Sequence, residues 1–176
     1  MRTPCLIIRG LFLLNKIYSL SEIDYQILKE LQINARISKK ELARKLGVSP
    51  VTVSSHIDKL EKLGVIQQYV TILNPDFFGL TIEAAIEVSV QGGYIVEIEE
   101  ELARNPNVYA VYDVTGETDV LLLARFKSRE ELSSFVKAVL SNPHVLRTNT
   151  RLILSTIKRS LAIPLDDKIT NQKVAP

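Results

Sequence analysis

The four residues Leu46-Gly47-Val48-Ser49 constrain the fold of this chain more than any other stretch. Gly47 follows a helical pattern and is the residue type that most readily adopts the left-handed conformation that ends a helix. Ser49 is a good N-cap for a new helix, and Pro50 suits its first turn. Helices joined by so short a link must cross at a sharp corner, which an antiparallel pair does not need. The sequence therefore predicts a helix-turn-helix.

Three helices are predicted between residues 20 and 64. Ser21 with Asp24, and Ser38 with Glu41, have the spacing of helix-capping pairs, and Gly64 stops the third helix. Away from its apolar stripe, the third helix presents a small, polar, modestly basic surface. Short hydroxyl side chains let a helix enter the major groove, while cations on the second helix suit the flanking phosphates. The candidate DNA-binding residues are Lys39, Lys40, Arg44, Ser49, Pro50, Val51, Thr52, Ser54, Ser55 and Lys59. A plain three-helix bundle is the alternative, which the tight corner disfavours.

The charge is divided unevenly along the chain. Up to Pro75 there are 11 Lys and Arg against 6 Asp and Glu, a net of +5, and from Asp76 onward 11 against 14, a net of −3. A polyanion is therefore expected to meet only the first half. The single cysteine, Cys5, excludes an intramolecular disulfide and favours a reducing compartment, the cytoplasm. The apolar stretch 5–14 is too short to span a bilayer, so no membrane partner is expected.

After Gly64 the pattern changes to alternating strands and helices. Strands are predicted at 80–91, 108–115, 119–126 and 145–157, and helices at 95–104 and 128–140. This β-α-β-β-α-β order is the ferredoxin-like arrangement, so the fold class is α+β. The predicted divisions are an N-terminal extension at 1–19, a helix-turn-helix domain at 20–66, a connector strand at 67–79, a ferredoxin-like domain at 80–161 and a C-terminal tail at 162–176.

The two middle strands carry apolar residues on both faces. Because two helices can cover only one face of a four-stranded sheet, the other face needs a partner. A second copy of the chain is the simplest cover, and its two-fold symmetry would match a palindromic operator. We therefore expect a homodimer.

The turn Gly116-Glu117-Thr118-Asp119 places exposed backbone N–H groups beside two carboxylates. Amides for a carboxylate and acidic side chains for an ammonium would suit a zwitterion. An ordinary hairpin with solvated acidic residues is equally consistent with this four-residue sequence.

Several segments together resemble the Lrp/AsnC (leucine-responsive, or feast/famine) family of transcription regulators. They include Ile23-Asp24, Ala35-Arg36-Ile37-Ser38, Gly47-Val48-Ser49-Pro50, Leu60-Glu61, Gly64-Val65-Ile66 and Leu73-Asn74-Pro75, and the likeness runs from about Leu20 to Leu161. The resemblance implies an N-terminal winged helix-turn-helix, a C-terminal ligand-sensing domain, and dimers that assemble through their sheets, commonly into octamers. It also implies an amino-acid effector bound between subunits.

The family's effector pocket is built around a Gly-Asp-aromatic-Asp turn. In this chain Gly116 and Asp119 match that pattern, while Glu117 and Thr118 depart from it. The family often places polar pocket residues on the last strand. The resemblance thus implies the effector-binding residues Gly116, Glu117, Thr118, Asp119, Thr148 and Thr150.

An enzymatic role is weighed against these patterns. The two histidines, His56 and His144, have no Cys or His partner at metal-ligand spacing, and no phosphate-binding loop or nucleophile set stands out. We expect no catalysis, no metal and no cofactor beyond the effector. Two alternatives of the same architecture stay open: a low-specificity DNA-organising protein and, more remotely, a tetrapyrrole decarboxylase.

Overall fold

The structure, a computed structural model, describes residues 20–165. They form two compact units, one of Leu73–Arg159 and one of residues 20–72 with 160–165. The predicted extension at 1–19 and the tail beyond residue 165 lie outside the described residues. None of the described helices has the length and apolar composition needed to cross a bilayer.

The first unit along the chain is built from three helices, α1 (Glu22–Ile33), α2 (Lys39–Leu46) and α3 (Pro50–Lys62). Each begins at a serine whose hydroxyl oxygen accepts a backbone N–H, as predicted at Ser21, Ser38 and Ser49. Gly47 ends α2 with a φ of +67°, so the tight corner is formed as the sequence predicts. The buried core of this unit consists of Ile27, Leu42, Ala43, Val53, Ile57 and Leu60.

The C-terminal segment returns to this unit. The side chain of Gln32 on α1 accepts the N–H of Ile163 at 2.8 Å and donates to its carbonyl at 3.3 Å. The start of the predicted tail is therefore held by hydrogen bonds between its backbone and a side chain of α1.

The connector predicted as a strand at 67–79 forms no ladder within the described residues. Residues 67–73 are irregular, and a short 3₁₀ helix, Pro75–Phe78, follows them. A strand needs a neighbour for its backbone groups, and apolar connector residues such as Ile72 instead lie 81% exposed. The strand prediction is therefore wrong for the isolated chain.

The second unit has the predicted β-α-β-β-α-β order. Its elements are β1 (Ile82–Val90), α4 (Ile95–Ala103), β2 (Val108–Asp113), β3 (Val120–Phe126), α5 (Arg129–Leu140) and β4 (Val145–Leu152). The strands form one antiparallel sheet in the order β2-β3-β1-β4. The last strand is five residues shorter than the predicted 145–157, because its partner β1 begins at Ile82 and the final pairing bond runs from Ile153 N–H to the Glu83 carbonyl.

Helices α4 and α5 cover one face of the sheet. Alternate residues of β1 and β3 are buried there: Ala84, Ile86, Val88, Val90, Val120, Leu122, Ala124 and Phe126. The opposite face, called the open face below, mixes apolar and charged side chains. β3 presents Leu121 and Leu123, as expected, but Glu83 and Glu87 project from β1. The apolar side chains expected on the second face of β2 and β3 are present, whereas β1 contributes charged residues to that face.

Removing the cap of α3 should destabilise the helix-turn-helix unit by a measurable amount. The Ser49 hydroxyl accepts the N–H of Thr52 at 3.0 Å. We expect Ser49→Ala to lower the free energy of unfolding by about 1 kcal/mol, the usual cost of removing an N-cap. Denaturant titration measures this, with Ser55→Ala on the exposed side of α3 as the control. Equal stability of the two variants would contradict the capping role.

Candidate DNA-binding and effector sites

The side of α3 that is predicted to contact DNA, called the reading surface below, is open to solvent. Val51 is 78% exposed, and Ser55, Asp58, Lys59 and Lys62 are also exposed. The opposite side of the helix is buried in the core of the unit. The helix therefore presents small and polar side chains outward over its first two turns, with Ser49 and Pro50 exposed at its start.

The basic residues beside this surface differ in how far they are engaged. Lys40 and Arg44 are exposed, and neither meets an acceptor within residues 20–165. Lys39 Nζ instead donates to the Ser54 hydroxyl at 2.8 Å, which links α2 to α3. Lys45 forms an ion pair with Glu30 at 2.6 Å. Lys40 and Arg44 are thus the α2 cations left available for an external anion.

Two of the predicted hydroxyl groups already have partners at the start of α3. The Ser49 and Thr52 hydroxyls lie 2.8 Å apart, while Ser49 also caps the helix. Thr52 is half-buried. Ser55 is exposed and hydrogen-bonded to no described residue, so its hydroxyl is free to contact a base edge or a phosphate.

Lys59 takes part in an interaction that the sequence patterns do not reveal. Its ammonium lies 2.8 Å from Oδ2 of Asp24, a side chain with no solvent exposure. Oδ1 of the same carboxylate lies 2.7 Å from His56 Nδ1. The backbone N–H and hydroxyl of Ser21 donate to Oδ2 as well, at 2.8 and 2.9 Å. One buried carboxylate thus joins the start of α1 to two successive turns of α3.

The donors around Asp24 determine its protonation. Burial alone would raise its pKa, but the hydrogen bonds from Lys59, His56 and Ser21 outweigh burial and hold the pKa well below its usual range. The carboxylate is therefore charged at neutral pH. Lys59, placed among the DNA-binding residues by sequence, is committed to Asp24 in the free protein and positions α3 against α1.

The second candidate site is a groove of about 350 Å³ on the open face of the sheet. It lies beneath the predicted effector turn, and two of the predicted residues, Glu117 and Thr118, line it. The complete lining is Glu87, Val114, Thr115, Glu117, Thr118, Leu121, Arg147, Asn149 and Arg151.

The other two residues of the turn have structural contacts. The Asp119 carboxylate accepts the N–H of Val90 at 2.7 Å, and its own N–H donates to the Val88 carbonyl at 3.1 Å. Gly116 has a φ of +131°, a conformation that side-chain-bearing residues rarely adopt. These two residues fix the turn over β1, while Glu117 and Thr118 face the groove.

The structure does not bring Thr148 and Thr150 into the groove. They pair with Val88 and Ile86 and so lie on the face covered by the helices. Side chains alternate between the two faces of a strand, so the groove receives their neighbours Arg147, Asn149 and Arg151 instead. β4, the strand predicted to carry effector-binding residues, thus lines the groove, but with the side chains on the face opposite to Thr148 and Thr150.

The histidines are engaged locally. His144 stacks on Tyr94 with ring centroids 3.4 Å apart and contacts Gln91 at 3.3 Å. His56 contacts Asp24. Neither histidine lines the groove, which gives the tetrapyrrole alternative no structural support.

Comparisons with known proteins agree with a two-part regulator. Residues 20–67 match the family model described as winged helix-turn-helix DNA-binding, and residues 83–163 match the Lrp/AsnC ligand binding domain. The chain is 41% identical over 144 residues to an HTH-type transcriptional regulator of Pyrococcus furiosus, covering 82% of this chain and 97% of that protein. It is 33% identical to the transcriptional regulator FL11 of Pyrococcus abyssi, covering 84% and 97%.

Solved structures show the same fold. A transcriptional regulator of Neisseria meningitidis, crystallised as a complex with L-Met, matches with a TM-score of 0.78 and 31% identity over 84% of this chain and 97% of that one. AsnC of E. coli matches in fold with a TM-score of 0.77 and 22% identity over 84% and 100%. The protein is thus a transcriptional regulator with a DNA-binding helix-turn-helix and a ligand-binding domain. It belongs to the Lrp/AsnC family, whose members are transcriptional regulators and not enzymes.

Replacing the buried carboxylate should destabilise the protein in a pH-dependent manner. We expect Asp24→Asn to lower the free energy of unfolding by about 2 kcal/mol at pH 7, because hydrogen bonds to a charged acceptor are weakened. A lowered folded-state pKa adds stability that is fully present above the ordinary pKa of about 3.9. This contribution is lost progressively as the pH falls from that value toward the folded-state pKa. The difference between wild type and variant, measured by urea titration, should therefore shrink below about pH 4.

The matched control is Asp58→Asn on the exposed side of α3. We expect it to change stability by less than about 0.5 kcal/mol. A difference between wild type and Asp24→Asn that stays constant down to about pH 2 would be inconsistent with a charged carboxylate at this position.

Proposed function

We propose that this protein is a sequence-specific DNA-binding regulator that acts as a homodimer, and that a small effector, an amino acid, modulates its assembly or DNA affinity. The exposed surface of α3 carries the proposal. It offers small side chains at Val51 and Ser55, beside the free cations of Lys40 and Arg44 on α2. Small residues permit entry into the major groove, and free cations hold the flanking phosphates.

The sheet supports the proposed dimer. Helices cover one face only, and Leu121, Leu123 and Tyr112 project from the other. A second copy laid on this face would bury them and relate two recognition helices by a two-fold axis. Such an axis suits paired half-sites about one helical turn apart. Further assembly, to an octamer, is what the family resemblance implies.

The effector proposal depends on the groove. It combines charged side chains of both signs with the apolar side chains of Val114 and Leu121, a mixture that suits a small zwitterion. The L-Met complex of the Neisseria regulator, a protein of the same fold, supports an amino acid as the class of ligand.

Neutralising the free α2 cations should weaken DNA binding without changing its specificity. For Lys40→Ala with Arg44→Ala we expect a salt dependence of log K that is shallower by about one unit for each phosphate that a cation no longer neutralises. Affinity is measured by fluorescence anisotropy on a duplex selected from a random pool, at several salt concentrations. Lys137→Ala on α5 is the control, and an unchanged salt slope in the double variant would exclude these two cations from the interface.

The reading surface is tested separately by Ser55→Glu. A carboxylate at this position repels phosphates and cannot reproduce a hydroxyl donor, so the variant should no longer prefer the selected duplex over a mismatched one. Wild type should prefer the selected duplex by about a thousandfold at fixed salt. Equal wild-type affinity for both duplexes would favour the alternative of a low-specificity DNA-organising protein.

An amino-acid effector should stabilise the folded protein. At a hundredfold its dissociation constant, a ligand adds about 2.7 kcal/mol per site, which raises the melting temperature. A thermal-shift screen of the twenty L-amino acids measures this, with repetition in the presence of the selected duplex to detect a change in DNA affinity. If no amino acid shifts the melting temperature, the effector is of another class, while the DNA-binding proposal stands.

A further inference from the structure

Three polar groups in the groove already satisfy one another. The Glu87 carboxylate accepts from Asn149 Nδ2 at 2.7 Å and from the Arg151 guanidinium at 3.1 Å. The Glu87 side chain is only 21% exposed, on the central strand β1. This trio forms a fixed, charge-balanced floor that has little need of a charged ligand.

The other two charged groups are unpaired. Glu117 projects from the turn and Arg147 from the start of β4, and both line the groove. Within residues 20–165 neither side chain has a hydrogen-bond or ion-pair partner. The groove therefore contains one free anion and one free cation, which is the charge complement of a zwitterion.

The remaining lining is neutral. Val114 and Leu121 are apolar, and Thr115 and Thr118 offer only hydroxyl groups. A ligand side chain with a formal charge would be placed near groups that cannot neutralise it. An uncharged side chain in the groove leaves no charge unpaired.

Resting on the proposed effector function, we propose that this groove selects α-amino acids with uncharged side chains, with Arg147 binding the carboxylate and Glu117 the ammonium. The Arg147 guanidinium can donate two parallel hydrogen bonds to a carboxylate, a geometry that a lysine lacks. From the sequence alone, the exposed backbone N–H groups of the turn are the candidate partners of the carboxylate. The alternation of side chains along β4 places Arg147 in the groove, so we assign the carboxylate to this side chain instead.

The experiment is isothermal titration of the full-length protein with named probes. L-methionine, L-leucine, L-alanine and L-glutamine are the uncharged set, and L-glutamate and L-lysine the charged set. At least one uncharged probe should bind about tenfold more tightly than either charged probe. For the tightest of them, Arg147→Gln and Glu117→Gln should each weaken binding by ~10- to 100-fold, as expected when a charged hydrogen-bond partner is removed.

The analogues of that amino acid separate the two roles. The amino alcohol, which lacks the carboxylate, should bind wild type and Arg147→Gln equally weakly, and the N-acetyl derivative should do the same with Glu117→Gln. Arg147→Lys, which retains the charge but not the forked geometry, should fall between wild type and Arg147→Gln. Arg129→Gln on α5, whose helix packs on the covered face, is the control for charge alone.

The outcomes are distinct. Tightest binding by L-glutamate or L-lysine would overturn the selectivity, and unchanged binding by Arg147→Gln would overturn the assignment of the carboxylate, although in both cases an amino-acid effector would remain. Binding of no probe, together with a negative thermal-shift screen, would remove the effector class itself. Unliganded melting temperatures of all variants within about 2 °C of wild type establish that the fold is unaffected.

Discussion

The sensing half of this protein depends on one constraint, that two helices cover only one face of a four-stranded sheet. Because side chains alternate along a strand, the parity of a residue decides whether it enters the core or the open face. On β1, Ile86 is fully buried while its neighbour Glu87 forms the floor of the groove. On β4 the same rule separates Thr148 from Arg147. The core and the groove thus lie on two sides of the same backbone ladder, and neither can change register without the other.

In the helix-turn-helix half, a single buried carboxylate has a comparable role. A charge removed from water is costly unless donors surround it, and Asp24 has donors from Ser21, His56 and Lys59. Because His56 and Lys59 lie on successive parts of α3, the carboxylate fixes both the rotation and the distance of that helix relative to α1. The DNA-binding surface that we propose consists of residues that Asp24 does not engage, among them Ser55, Lys40 and Arg44.

The features that the sequence predicts correctly depend on interactions between residues close together in the chain. Ser21, Ser49 and Gly47 act within one helical turn, so their roles can be inferred without tertiary information, and the order of strands and helices follows from changes in periodicity. The contact between Asp24 and Lys59 spans 35 residues and depends on how the helices pack. The sequence also could not predict which residues of β4 lie on which face of the sheet. Polar side chains stand at every position from Arg147 to Arg151, so no hydrophobic alternation marks which residues turn toward the core.

The charges of the open face have a further consequence for a second subunit. Glu83 accepts hydrogen bonds from Tyr109 and Arg159 and lies 3.7 Å from Arg125, whose guanidinium stacks over the Tyr109 ring at 4.2 Å. Burial and the hydrogen bond to Glu83 raise the pKa of Tyr109 to about 12, so the phenol stays protonated. Both guanidinium groups of this cluster thus share the one carboxylate of Glu83, which leaves a net charge of +1 but gives each cation an anion of the chain itself within 4 Å. Arg147 has no such pairing within residues 20–165, so covering it without an anion would be costly. The two regions of one face therefore differ: in one the cations share an anion of the chain itself, and in the other Arg147 and Glu117 have no ion-pair partner among residues 20–165.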